Sequence, residues 1–271
     1  MRYPAVAGRF YPSGREELIE SIEECFRHRL GPGMPGPEGN TRKIVAAVSP
    51  HAGYMASGMN AAHLYKKIKE DGLPEFYVII GPDHHGVPYD AVMCSDEYLT
   101  PLGPCKIEKD VASELAEYIP DSPRAHMLEH SVEVQVPFIQ YIDPDPHIIP
   151  VILSRQDSRT AGVLADILSR VCAGRDCIII ASSDLSHYIP KGRAASEGSL
   201  VLEKIKALDA EGVIETVRKN GISACGYGPI SAAIRASAPS EAELLKYSDS
   251  HDALGGSSNE VVGYASVAMY R

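Results

Sequence analysis

Three short segments of this chain carry imidazoles among small and polar residues. They are Ser49-Pro50-His51-Ala52-Gly53-Tyr54, Gly81-Pro82-Asp83-His84-His85-Gly86 and Ser182-Ser183-Asp184-Leu185-Ser186-His187-Tyr188. Imidazole is the commonest transition-metal ligand and the usual acid or base near neutral pH. A fourth segment, Leu128-Glu129-His130-Ser131-Val132-Glu133, adds carboxylates at i and i+4, which share a face if the segment is helical. Glu129 and His130 at a helix start suit the orienting of a ligand or the taking of a proton. Glu133 reads equally well as part of a solvated face. A fifth segment, Ala224-Cys225-Gly226-Tyr227-Gly228-Pro229, places a thiol just ahead of a helical pattern. A thiol near a helix N-terminus has a lowered pKa, and its thiolate is both a nucleophile and a soft metal ligand.

Taken singly, each residue has a plainer reading. His51 can brace a turn, and Asp184 is a favoured helix cap. His187 follows Asp184 by three residues, so the two share a face if that turn is helical. His84 and His85 are neighbours that do not easily enter one pocket together, and the residues alone do not say which of them does. Cys225 stays open between a site thiol and a packed one. His28, His63, His126, His147 and His251 have no comparable context and read as structural or exposed.

The elements that must position these residues alternate in type. Apolar runs at Lys43–Ser49, Phe76–Ile80, Ala91–Cys94, His147–Leu153, Cys177–Ala181 and Val261–Tyr270 read as strands. Helical patterns cover Glu16–Arg29, Asn60–Glu70, Lys109–Tyr118, His130–Tyr141, Ala161–Val171, Leu200–Leu208, Ala210–Asn220 and Pro229–Ser237, with Gly221 a helix stop. Leu30–Thr41, rich in Gly and Pro, is a loop. Apolar strands alternating with helices predict an α/β fold, a mainly parallel or mixed central sheet covered on both faces. All 271 residues are expected to form a single domain. In such sheets ligands bind beyond the carboxyl ends of the strands. That rule selects the three imidazole-bearing turns, and packing alone gives no reason for them to share one edge.

Composition excludes several classes. The net charge is −10 with no basic block, which argues against nucleic acid or an anionic membrane as partner. No run of roughly 18 apolar residues exists to span a bilayer. The N-terminus shows no secretory pattern, so the expected location is cytoplasmic. Of six cysteines none forms a CxxC pair, so a zinc ribbon or thioredoxin motif is unsupported, and all but Cys225 read as buried thiols.

The stretch Pro4-Ala5-Val6-Ala7-Gly8-Arg9-Phe10-Tyr11-Pro12, then PHAGY, GPDHHG, EHSVEVQVPF, SSDLSH and CGYGPI, resembles the Memo family, named for a mediator of receptor-driven cell motility. The motifs run in family order from residue 4 to residue 230. The resemblance implies a fold similar to class III non-haem iron extradiol dioxygenases, with metal ligands His51, His84 and Cys225 and with Asp184, His187, Glu129 and His130 around them. Tyr227 and Gly228 stand where animal members carry other residues, a difference on the substrate side. The resemblance also implies association with a radical-SAM pathway protein.

Two imidazoles and a thiolate suit iron(II), copper or zinc, and the sulfur shifts preference towards copper(I). The expected function is a metal-dependent oxidoreductase with a small-molecule or peptide ligand in the strand-end cleft. Cys in place of the usual carboxylate means that ring cleavage does not follow from the fold. The alternatives are a non-catalytic iron- or copper-binding protein and a partner-binding module that retains a dioxygenase-like cleft.

Overall fold

The computed structural model describes residues 1–271. Ten strands follow one another as β1 (Ile44–Ser49), β2 (Phe76–Pro82), β3 (Ala91–Met93), β4 (Tyr98–Thr100), β5 (Gly103–Ile107), β6 (His147–Leu153), β7 (Cys177–Ser182), β8 (Ser186–Ile189), β9 (Glu241–Asp249) and β10 (Val261–Tyr270). The helices are α1 (Arg15–Arg27), α2 (Tyr54–Asp71), α3 (Lys109–Leu115), α4 (Pro123–His126), α5 (Val136–Ile142), α6 (Ser158–Val171), α7 (Lys191–Lys206), α8 (Ala210–Asn220), α9 (Tyr227–Ser237) and α10 (Ser250–Leu254).

The strands form one mixed sheet in the order β4-β5-β6-β2-β7-β1-β10-β8, with β3 paired to β6 and β9 to β10. Its centre, β6-β2-β7-β1, is parallel, and β10 closes antiparallel on β1. Parallel strands covered on both faces need continuous apolar sequence, and β1 and β2 are buried along their whole length. Helix α2 lies on β1 and β10 and packs with α1 and α5. Helix α9 lies on β1, β2 and β7 and packs with α6 and α8. One hydrophobic cluster of 69 buried residues joins these layers, so the sheet edge that carries the histidines rests on a continuous core.

Two helices begin more than a full turn earlier than their apolar periodicity predicts. Helix α2 starts at Tyr54 rather than Asn60, and its opening turns carry the small residues Ala56, Ser57 and Gly58 that allow close approach: a Cβ on Gly58 would lie 2.4 Å from Cys25 Sγ. Helix α7 starts at Lys191 rather than Leu200, where Gly198 admits the Tyr247 ring. The expected helix over His130–Tyr141 is a correction of another kind. A 3₁₀ turn at Glu133–Gln135 precedes α5, and residues 129–131 are not helical. Glu129 and Glu133 therefore do not share a helical face. Strands β4, β5, β8 and β9 were not foreseen. No helix is long and apolar enough to cross a membrane.

Candidate metal centre

Strands β1, β2 and β7 are parallel neighbours, so their carboxyl ends meet at one edge. His51 follows β1 and His84 follows β2. Beyond β7 the chain continues through Asp184 into β8 rather than into a helix, so Asp184 caps no helix. Its Oδ1 instead accepts the backbone N–H of His51 at 3.1 Å. Cys225 arrives from the segment ahead of α9. Its N–H donates to Asp184 O at 3.2 Å, and Asp184 N–H donates back to Cys225 Sγ at 3.2 Å. Gly226 makes this approach feasible, because a Cβ there would lie 2.3 Å from Ser182 O. Gln156 fixes the turn from the other side, donating to Cys225 O at 2.7 Å and accepting from Gly228 N–H at 2.8 Å.

The ligand-capable atoms of His51, His84 and Cys225 all lie within 4.8 Å of one another. Cys225 Sγ is 3.2 Å from His51 Nε2. The ring of His51 stands edge-on to that of His84, with centroids 5.3 Å apart. His51 is buried, Cys225 half-buried and His84 open to solvent. His85 is exposed, and its ring makes no hydrogen bond; only its N–H is used, on Asp83 Oδ1.

The hydrogen bonds behind the rings fix which nitrogen is free. Ser182 Oγ lies 2.8 Å from His51 Nδ1, 2.9 Å from Gln135 Nε2 and 2.7 Å from Ser131 O. A carbonyl only accepts, so the single hydroxyl proton goes to Ser131 O. Ser182 Oγ must then accept from both nitrogens, which puts the proton of His51 on Nδ1 and leaves Nε2 bare towards Cys225. His84 is held likewise: Nδ1 donates to Glu129 Oε1 at 2.9 Å and its backbone N–H to Oε2 at 2.7 Å. Ser131 N–H donates to Oε1 at 2.8 Å. Burial works against the Glu129 carboxylate, but the donors from His84 and Ser131 outweigh it and hold the carboxyl well below its ordinary range. Burial also opposes charge on His84, and Glu129 more than offsets it, raising that imidazole.

His130 stacks on His84 at 4.5 Å between centroids and stands edge-on to His51 at 5.4 Å. Burial, only partly offset by Glu129, pulls His130 down to about 4. Burial and the two neighbouring imidazoles lower His51 as well. His84, Glu129 and His130 form a second group within metal-ligand distances. Three N–H donors already occupy the Glu129 oxygens, so this group orients His84.

His187 Nδ1 donates to Ser223 O at 2.7 Å, leaving Nε2 3.8 Å from Asp184 Oδ2. Burial pushes Asp184 up to about 6. The Cys225 thiol is also raised, first by burial and then by the charge of Asp184. The lowered value expected from a helix N-terminus is thus corrected. Helix α9 begins only at Tyr227, and desolvation dominates.

Glu133 reverses its solvated reading. It is fully buried and accepts from Arg2, from Ala5 N–H at 2.8 Å, from Val6 N–H at 3.1 Å and from Tyr11 OH at 2.5 Å. Arg2 also donates to His126 O and, at 2.7 Å, to Glu129 O. The N-terminal segment is thereby strapped across the loop that carries Glu129, and its Phe10 ring lies 4.9 Å from that of His130. Sequence reasoning missed Ser182, Ser131, Gln135 and Gln156. The one signal for Gln135 is an amide flanked by the apolar residues Val134 and Val136. A surface depression of about 930 Å³ between Tyr89 and Arg155 contains none of the site residues.

The fold and site define an α/β protein whose central mixed sheet, flanked by helices, gathers a His-His-Cys cluster at its parallel edge. The chain belongs to the Memo family: the family description "Memo-like protein" matches residues 2–268. It is 42% identical to a MEMO1 family protein of Methanopyrus kandleri, over 100% of this chain and 99% of that one. It is also 42% identical to a MEMO1 family protein of Pyrococcus abyssi, over the whole of both chains. Among solved structures, an uncharacterized protein of Escherichia coli K12 shares the fold, with a TM-score of 0.55 at 12% identity over 83% of this chain and 99% of that one.

Proposed function

We propose that this chain holds one redox-active transition-metal ion, iron(II) or copper, through His51 Nε2, His84 Nε2 and Cys225 Sγ. We propose further that it is an oxidoreductase acting on a small molecule or peptide segment in the strand-end cleft. The observation that carries this reading is the convergence of three donor atoms within 4.8 Å, two of them on imidazoles whose Nδ1–H groups are committed to Ser182 and Glu129. The donor set fits such an ion, because two imidazoles and a thiolate leave coordination positions open. Bound there, the ion would supply Lewis acidity and electron exchange.

The remaining chemistry belongs to the chain. Ser182 and Glu129 hold the ligand rings in one tautomer and one orientation. Cys225 gives up its proton when a metal binds. His130, stacked on His84, and His187, with Nε2 towards Asp184, would move a proton beside the bound ligand.

The test is anaerobic purification followed by measurement of iron, copper and zinc in the wild type and in His51→Ala, His84→Ala and Cys225→Ala. About one equivalent in the wild type and a loss of at least tenfold in each variant is expected, on the order of ligand removal. Equal, negligible metal in all four after reconstitution would sink the metal site. No oxygen uptake with catechols or other reduced substrates would remove the oxidoreductase step and leave metal binding alone.

A further inference from the structure

The end of β7 away from the histidines carries a second pair of reactive groups. Cys172 closes α6 and Cys177 opens β7, with Ala173-Gly174-Arg175-Asp176 between them. The turn is tight: Arg175 N–H donates to Cys172 O at 3.1 Å, and Gly174 takes a φ of +74°. It brings the two thiols close enough for each to shift the titration of the other. Both cysteines are partly exposed, unlike the buried Cys25, Cys94 and Cys105. Both line one surface cavity of about 620 Å³ together with Arg42, Arg175, Asp176 and Arg271. Five strand steps separate Cys177 from Ser182, roughly 16 Å at about 3.3 Å each, so neither thiol reaches the histidines.

We propose that Cys172 and Cys177 form a redox-active dithiol, which a small hydroperoxide reaching this cavity oxidises to a disulfide. Cys177 is the attacking residue. The neighbouring Cys172 thiol lowers the Cys177 thiol against its burial and the charge of Asp176, and Arg42 and Arg271 add to the lowering. Cys177, with burial, raises Cys172, which keeps its proton until the second step. Arg42 is locked onto Asp176 through Nε at 3.0 Å and a second contact, so its charge is fixed beside the pair.

The electrons and atoms balance in two steps. The Cys177 thiolate attacks the O–O bond; an S–O bond forms, the O–O bond breaks, and the leaving oxygen takes a proton to give an alcohol or water. Cys177 is then a sulfenic acid. Cys172 sulfur next attacks Cys177 sulfur; the S–S bond forms, the S–O bond breaks, and the hydroxyl leaves as water with the Cys172 proton. Two electrons pass from the two thiols to the hydroperoxide.

Trypsin provides a direct test, because it cuts at Arg175, between the two cysteines. The reduced full-length chain is treated with hydrogen peroxide or tert-butyl hydroperoxide, alkylated and digested without reduction. The proposal expects peptides 171–175 and 176–191 joined with a loss of two hydrogens, and separated again by dithiothreitol. The same linked pair is expected in Cys225→Ser, which excludes the histidine-side thiol as its source. In Cys172→Ser, oxidation should stop at a dimedone-trappable sulfenic acid on Cys177. Both cysteines remaining alkylatable under conditions that oxidise glutathione would overturn the proposal, as would trapping of the sulfenic acid on Cys172 in a Cys177→Ser chain but not on Cys177 in Cys172→Ser.

Discussion

His51 Nδ1 and Ser182 Oγ lie 2.8 Å apart, and the serine can only accept, because its one proton is spent on Ser131 O. A residue at the end of β7 thus decides which nitrogen of a residue at the end of β1 is free for a metal. Ser182→Ala removes that acceptor and lets His51 rotate or change tautomer. Outer-shell losses of this kind typically cost about 10–100-fold in metal affinity. The variant should stay folded and bind metal at least tenfold more weakly in a competition titration with a chelator. Unchanged affinity would show that His51 is oriented by something other than Ser182.

Glu129 plays the matching part for His84, but with a charge. Glu129→Gln keeps the shape and loses the full acceptor capacity of two oxygens serving three N–H groups. The amide would turn either its NH₂ or its single oxygen towards His84, so one donor is left facing another. Metal affinity should fall by about 10–100-fold. Glu129→Asp, which keeps the charge but shortens the reach, should recover only part of it. A Gln variant that binds metal as the wild type does would argue against the orienting role.

These two outer residues also mark where sequence reasoning stops. The central strands were legible because β1, β2, β6 and β7 are buried on both faces and read as unbroken apolar runs. The histidines were legible because they directly follow such runs. Ser182 and Gln135 were not, since their role depends on partners far along the chain: 131 residues separate Ser182 from His51 and 47 separate it from Gln135. Strand β9 escaped because only its last two residues are buried and it carries Glu241, Glu243 and Lys246, charges typical of a protected edge. The Cys225 thiol was misjudged in direction, because proximity to a helix start is visible in sequence and burial is not.

The Arg2–Glu133 pair is fully enclosed, with 1% and 0% of the two side chains exposed. Removing one partner of such a pair strands the other charge, at a typical cost of about 3–5 kcal/mol. Arg2→Met and Glu133→Gln should each lower the unfolding free energy measured by urea titration by an amount in that range, through a lower midpoint with no change in slope. The double variant should be less destabilised than the sum, since neither charge is then left alone. Strict additivity in this cycle would mean that Arg2 and Glu133 act independently.

His126 sets an acid limit that does not involve the metal centre. Its Nε2–H donates to Val92 O at 3.1 Å, so its Nδ1 accepts from Tyr98 OH at 2.7 Å, and the neutral ring is satisfied on both sides. Burial lowers its folded value to about 4, against 6.5 for a free imidazole. Between those values the unfolded chain binds a proton that the folded chain refuses. The stability His126 contributes is therefore complete above pH 6.5 and is lost as pH falls towards 4. At about 1.36 kcal/mol per unit, that difference corresponds to a loss on the order of 3 kcal/mol. His51 and His130 are lowered too, so several protons are taken up on acid unfolding. His126→Gln can keep both hydrogen bonds without titrating. Unfolding free energies measured from pH 8 down to pH 4 should fall less steeply in this variant, by about one proton's worth of slope near pH 5. Parallel profiles for the two chains would show that His126 is already protonated in the fold, with the Tyr98 hydroxyl turned elsewhere.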